Sequence, residues 1–283
     1  MLKDTTRQAP RSESRWVVFT DLDGTLLNAD DYRWDDAKPA LALLEERGAA
    51  LVLNSSKTRR EMLALREELG NRHPFVVENG AAIFTPAGYF EADGLGGGAS
   101  SELEITRLGP PREELVAELH RLRASRGWRF EGFADMDVAA VMRHTGLVRE
   151  AAEAAMDRSG TEPLLWLDDR QPPEGLARAL EAQGLRLVAG GRFWHAMGPT
   201  DKGTATRLLL GRYRGSGAKI RSLALGDSAN DLEMLRSVDH AVWIPGAAHS
   251  RPERGTAPGA LTAEKPGAAG WRLAVENVLR SAS

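Results

Sequence analysis

The sequence predicts an α/β protein: an open, parallel sheet with crossover helices, interrupted by an inserted α+β segment. Short apolar runs that end in turn residues alternate with helical periodicities from Trp16 to about Phe84, the pattern of strand–helix–strand units. A similar alternation resumes near Lys202 and runs to the last residues. Between the two, the run Asp93-Gly94-Leu95-Gly96-Gly97-Gly98-Ala99-Ser100-Ser101 breaks the pattern and reads as a loop rather than a phosphate cradle, because it lacks the Lys-Ser/Thr ending and opens no apolar helix.

Taken in order, Trp16-Val17-Val18-Phe19 is a buried strand. Residues 37–47 carry Leu41 and Leu44 on one helical face and stop at Gly48; residues 49–53 form a second apolar strand. Residues 58–69 carry Met62, Leu65 and Leu69, stop at Gly70, and begin with Thr58 and Glu61 at capping-box spacing. The inserted segment reads as a helix at 112–125, a strand at 128–133, a helix at 147–158, a strand at 163–167, a helix from Pro173 to Gly184, and strands at 185–188 and 192–196. The resumed pattern gives a helix at 202–212, a strand at 222–225, a helix at 230–237, a strand at 241–244 and a terminal helix at 270–280. A Gly/Pro/Ala-rich loop fills the run between Gly246 and Gly270.

Composition narrows the function classes. The chain of 283 residues has 37 basic and 40 acidic side chains, a formal net charge of −3, and no basic block of the kind that binds nucleic acid. It has no cysteine, which excludes disulfides, thiolate metal sites and cysteine nucleophiles and favours an intracellular, cytoplasmic setting. No run is apolar enough to span a bilayer, so no membrane partner is expected. Residues 1–14 are polar and read as a disordered tail.

Two acidic turns carry the chemistry: Asp21-Leu22-Asp23-Gly24-Thr25 after the first strand, and Gly226-Asp227-Ser228-Ala229-Asn230-Asp231 after the Ser222-Leu223-Ala224-Leu225 strand. In an open parallel sheet the carboxyl ends of the strands gather where ligands bind, so distant carboxylates can converge there. Such a hard, all-oxygen set suits Mg2+ and a phosphoryl-transfer centre. Lys202, between Asp201 and Gly203 at a helix start, opposes the local helix dipole and so has another reason to be there. Ser55 lies just before the capped helix at Thr58, near an anion-friendly N-terminus.

Asp21-x-Asp23-Gly24-Thr25 with Gly226-Asp227-x-x-Asn230-Asp231 resembles the haloacid dehalogenase superfamily. The resemblance implies a Rossmann-like parallel-sheet hydrolase core, residues 15–90 and 191–283, with an inserted α+β cap of the type II (IIB) kind at 91–190. It implies that Asp21 is a nucleophile forming an aspartyl-phosphate and that Asp23 is the general acid and base. Ser55 is then a phosphate ligand and Lys202 the cation that neutralises Asp21 and the phosphoryl oxygens. Mg2+ is expected on Asp21, Asp227 and the Asp23 backbone carbonyl, with Asn230 and Asp231 orienting waters or the lysine; Asn230 could also cap the helix that follows.

Further stretches narrow the resemblance: Asn54-Ser55-Ser56-Lys57-Thr58-Arg59-Arg60-Glu61, Val77-Glu78-Asn79-Gly80, Thr145-Gly146-Leu147-Val148-Arg149-Glu150, Gly191-Arg192-Phe193-Trp194-His195, and Pro266-Gly267-Ala268-Ala269-Gly270-Trp271. Ser55-Ser56-Lys57-Thr58 stands where most sugar phosphatases of this cap type carry Thr-Gly-Arg, and is similar to the mannosyl-3-phosphoglycerate phosphatases. The implied reaction converts 2-O-mannosyl-3-phosphoglycerate, a phosphorylated glycosyl-glycerate, to mannosylglycerate, a compatible solute. Lys57, Arg192 and His195 are then expected to meet the glycerate carboxylate, and Glu78 and Asn79 the hydroxyls. A glucosyl-3-phosphoglycerate or other sugar-phosphate phosphatase, a phosphosugar mutase and a non-catalytic binding module are the rival readings.

Overall fold

The protein is described by a computed structural model that covers residues 14–91, 102–167, 174–189, 193–215, 217–246 and 259–281. The expected tail, the glycine-rich run at 93–101, Pro173, Arg192 and much of the loop expected after Gly246 lie outside the described residues.

The strands are β1 (Arg15–Thr20), β2 (Ala50–Asn54), β3 (Phe75–Val77), β4 (Ala82–Pro86), β5 (Leu103–Arg107), β6 (Phe130–Gly132), β7 (Thr161–Trp166), β8 (Arg186–Ala189), β9 (Trp194–Met197), β10 (Ile220–Gly226), β11 (His240–Trp243) and β12 (Leu261–Thr262). The helices are α1 (Lys38–Glu46), α2 (Arg59–Glu68), α3 (Arg112–Arg126), α4 (Val138–Thr145), α5 (Arg149–Met156), α6 (Glu174–Glu181), α7 (Lys202–Gly215), α8 (Leu232–Leu235) and α9 (Gly267–Ser281).

A large sheet runs β12-β11-β10-β1-β2-β3-β4-β5. It is parallel from β12 to β3, and β4 and β5 extend it antiparallel. The inner parallel strands β1, β2 and β3 are buried on both faces, as crossover helices require. Val18, Leu51, Leu53, Leu223 and Leu225 pack with α1, α2 and α9, while Val17, Phe19, Val52 and Ala224 pack with α7 and α8. Trp271 of α9 is fully buried and its indole N–H donates to Thr20 Oγ1 at 3.0 Å. Truncating such a side chain typically costs about 3–5 kcal/mol, so the terminal helix is bolted beneath the end of β1.

A second sheet, β6-β7-β9-β8, is antiparallel. Leu115, Leu119 and Leu122 of α3 and Leu176 and Leu180 of α6 cover Phe130, Leu164 and Ala196. Leu165 points the other way, as strand alternation dictates, and packs with Val141, Ala152 and Ala155 of α4 and α5.

The inserted unit differs from its sequence-based outline at both margins. β5 belongs to the large sheet and β9 to the second sheet, so the changeovers fall between β5 and α3 and between β9 and α7. Leu103-Glu104-Ile105-Thr106-Arg107 alternates over only five half-exposed edge residues, too short a signal to stand out after a glycine-rich run. Helix α4 also goes unpredicted; Asp137 caps it, accepting from Ala140 N at 2.7 Å, and Gly146 ends it in the left-handed region. Among the described residues, no helix is long and apolar enough to cross a membrane.

Candidate active site

Register brings the two acidic turns together. β1 lies between β10 and β2, with Thr20 opposite Leu225, so Asp21 and Asp227 follow the ends of neighbouring strands. Asp21 N donates to Leu225 O at 3.0 Å and fixes the turn's start. This is the switch point of the sheet, where the crossovers leave a crevice at the strand ends. Gly24, at φ 81°, turns the chain there; a Cβ on it would stand 2.6 Å from Asp227 Oδ2. Thr25 Oγ1 donates to Asp227 Oδ1 at 2.9 Å, a link the sequence pattern did not single out.

Lys202, the first residue of α7, is the electrostatic centre. Its ammonium, 1 % exposed, donates to Asp21 Oδ1 at 2.7 Å and Asp231 Oδ1 at 2.6 Å. Asn54, at the end of β2, donates to the Lys202 carbonyl at 3.1 Å and holds this end of the helix against the sheet. Burial disfavours the ammonium, but Asp21 and Asp231 outweigh it and hold its pKa above the ordinary value. Asp231 is fully buried, and its other oxygen accepts from Asp227 N at 3.1 Å, Ser228 N at 3.0 Å and Ser228 Oγ at 3.0 Å. Asp231 therefore anchors the lysine and shapes the late turn. Ser228, not Asn230, sits at the N-cap of that turn.

Carboxylate oxygens of Asp21, Asp227 and Asp231 lie within 4.8 Å of one another. Burial first, then the Asp231 charge, pushes the Asp21 pKa well up, and the same causes raise Asp227. One ammonium faces three carboxyls, and a hard divalent cation among them would offset the excess negative charge. With both Asp231 oxygens taken by donors, Asp21 and Asp227 are the side chains that fit it.

The other end of the site is open. Lys57 Nζ lies 2.8 and 2.9 Å from the two oxygens of Asp23, whose side chain is 39 % exposed. Burial lowers the Lys57 pKa, but the Asp23 charge and hydrogen bond raise it by more, so this amine stays cationic. The Tyr32 ring lies beneath the ammonium at 5.5 Å, and Tyr32 holds φ at 55°, an uncommon conformation for a bulky residue. Ser55 is buried and its Oγ accepts from Lys57 N at 3.2 Å, which leaves the hydroxyl proton to give. The capping box forms as expected: Thr58 N reaches Glu61 Oε2 at 2.8 Å, and Glu61 N reaches Thr58 Oγ1 at 3.3 Å.

The residues expected to meet the substrate are placed unevenly. Asn79 joins the two halves, accepting from Asn230 Nδ2 at 3.0 Å, and faces a cavity of about 240 Å³ lined also by Arg186, Val188, Met197, Lys202 and Asn230. Glu78 is fully buried against residues 159–161 of the inserted unit, with both oxygens occupied, so it has no acceptor left for a hydroxyl. His195, on β9, is half-buried; desolvation of the ring and then the Arg158 charge push its pKa down to about 3, so a neutral ring stands where a cation for a carboxylate was expected. Arg192 lies outside the described residues. Arg158 carried no signal beyond ending a helical pattern, and the structure buries it beside Glu78 at 3.9 Å.

Carboxylates at adjoining strand ends, a buried lysine between two of them and a serine at a helix start define the class: haloacid dehalogenase-like hydrolases, whose family pattern matches residues 18–93. The fold agrees. A haloacid dehalogenase-like hydrolase from B. subtilis superposes with a TM-score of 0.64 at 17% identity, over 93% of this chain and 98% of that one. A phosphatase of the same superfamily from Bacteroides thetaiotaomicron superposes with 0.65 at 16%, over 96% and 98%. At the level of sequence, a glucosyl-3-phosphoglycerate/mannosyl-3-phosphoglycerate phosphatase from Persephonella marina is 36% identical over 93% of this chain and 97% of its own. A mannosyl-3-phosphoglycerate phosphatase from Pyrococcus horikoshii is 35% identical over 83% and 93%. The chain belongs to this glycosyl-3-phosphoglycerate phosphatase family and is a phosphoric monoester hydrolase.

Proposed function

We propose that the protein removes phosphate from 2-O-mannosyl-3-phosphoglycerate, and from its glucosyl counterpart, releasing the glycosylglycerate and inorganic phosphate. The observation that carries this reading is Asp21 pinned by Lys202 through one oxygen at the mouth of a parallel sheet, in a chain so similar to phosphatases of those two esters. A bound Mg2+, held by Asp21, Asp227 and the Asp23 carbonyl, would supply charge neutralisation for the phosphate.

An Asp21 carboxylate oxygen attacks phosphorus, and the bond from phosphorus to the glycerate C3 oxygen breaks. Asp23 gives its proton to the departing oxygen. Lys57 occupies both Asp23 oxygens, so the incoming anion must draw the ammonium away before Asp23 can take up and pass on a proton. Lys202 and Ser55 hold the other phosphoryl oxygens. Asp23, now ionised, takes a proton from water; the water oxygen attacks phosphorus, and the acyl phosphate bond of Asp21 breaks to free phosphate.

The second sheet with helices α3 to α6 acts in this reading as a cap over the strand ends, and a cytoplasmic setting suits a chain without cysteine. The test is phosphate release with Mg2+ from both glycosyl esters, compared as kcat/KM with mannose 6-phosphate. The reading expects a preference of at least about 100-fold for the glycosyl-phosphoglycerates, and loss of turnover by at least about 10³-fold in Asp21→Asn. No release from either ester, with brisk release from simple sugar phosphates, overturns it.

A further inference from the structure

Glu78 is a fully buried carboxylate for which the proposed chemistry has no use. One of its oxygens accepts from Ser159 N at 2.9 Å and Ser159 Oγ at 3.0 Å; the other accepts from Gly160 N at 3.2 Å and Thr161 Oγ1 at 2.6 Å. Every one of these donors belongs to the cap, and Glu78 belongs to the core. The seam is tight, since a Cβ on Gly160 would stand 2.9 Å from the Ala81 Cβ.

The backbone of Glu78 leads straight to the catalytic loops. Glu78 and Asn79 both hold positive φ, at 51° and 57°, a strained pair for residues with side chains. Glu78 N donates to Lys57 O at 3.0 Å and Asn79 N to Ser55 O at 2.9 Å. The Asn79 side chain accepts from Asn230. One turn therefore touches the serine loop, Lys57 and the late acidic turn while its carboxylate grips the cap.

The chain also has a place to bend. It enters the cap past Gly109 and returns past Gly198, and a Cβ on Gly198 would stand 2.8 Å from Gly109 Cα. The two connectors meet glycine to glycine, with the Pro110 ring also against Gly198, so few side chains oppose a small rotation there.

We propose that Glu78 is a positioning residue that makes closure of the cap set the Ser55–Lys57 loop and Asn230 in place for phosphoryl transfer. With the cap swung away, the carboxylate faces water and the strained turn loses what holds it. With the cap down, residues 159–161 seat it and the turn fixes the loop from behind. The inference rests on the phosphatase reading above.

Glu78→Gln tests it without changing volume. Each oxygen accepts from a backbone N–H, so either amide orientation sets an –NH2 against another donor. The expected result is a fall of at least about tenfold in kcat/KM for 2-O-mannosyl-3-phosphoglycerate, carried by kcat as well as KM, and a clearly smaller fall for p-nitrophenyl phosphate, a small ester that uses the same loop but gains no binding from a seated cap. Hydrogen exchange at the Ser159 and Gly160 amides should quicken at least about tenfold while β1 and β10 stay protected. Ser159→Ala, which removes one of the four donors to Glu78 from the cap side, should give a smaller loss of the same kind and should not add fully to Glu78→Gln. Equal losses on both esters, or unchanged exchange at 159 and 160, overturn the assignment. If the wild-type enzyme cleaves p-nitrophenyl phosphate but not the glycosyl ester, the substrate reading fails alone, and the exchange measurement still decides the role of Glu78.

Discussion

The two lysines of the site sit at opposite ends of it and do different work. Lys202 is sealed between Asp21 and Asp231, with no freedom to leave. Lys57 lies at the rim against one partly exposed carboxylate, Asp23, and over the ring of Tyr32. A buried charge is held by partners whose removal strands the rest, whereas a rim pair is screened by water and exchanges partners readily. On the proposed chemistry, the difference lets one site both fix Asp21 and exchange protons at Asp23: the fixed end is buried and over-determined, and the exchanging end is open.

Lys202→Met should have the larger effect. Asp21 and Asp231 lose their only ammonium, turnover should fall at least about 10³-fold, and stability should fall by on the order of 3–5 kcal/mol, read as a Tm loss of roughly 10 °C. A variant of wild-type Tm would show that the buried end is not the rigid one.

The next effect comes from pH and metal. Burial and like charges raise Asp21 and Asp227 above the ordinary 3.8. Between 3.8 and those raised values the folded, metal-free protein holds protons that the unfolded chain has released. This pair's contribution to stability is therefore fully present below 3.8 and is lost as pH rises through the folded values. A bound divalent cation favours the ionised pair, so the Tm gain from millimolar Mg2+ should grow as pH rises above 3.8 and disappear with chelator. A Tm gain independent of pH would break the charge argument.

Lys57→Ala should be mildest. The rim pair contributes about 0–1 kcal/mol to stability, so Tm should move little, while KM for the glycosyl ester rises about 10-fold or more. A Tm loss comparable to that of Lys202→Met would erase the contrast between the two ends.

How much of this was legible in the sequence follows from the range of each signal. Asp21, Asp23 and Asp227 stand in short turns after apolar runs, and Thr58 and Glu61 carry their cap as a local spacing, so the strand ends and α2 could be read directly. Lys202 could be picked out because its charge opposes its own helix. Glu78 and His195 misled because an acid beside Asn-Gly, or a histidine beside an aromatic, carries no information about what will cover it. β5 and β9 changed sheets for a similar reason: five half-exposed residues and four strand residues do not say which edge they will join.

By itself the sequence determined the sheet's alternation and pointed to the carboxylates and the lysine that the fold brings together, since each signal depends on residues within a turn or two of chain. Only the tertiary structure decided that Asp231 anchors Lys202, that Lys57 pairs with Asp23, and that Glu78 is held by residues 159–161 of the inserted unit. Those are contacts between segments far apart in the chain. Their energies depend on burial and on which donors arrive, quantities that exist only once the two sheets have closed on each other.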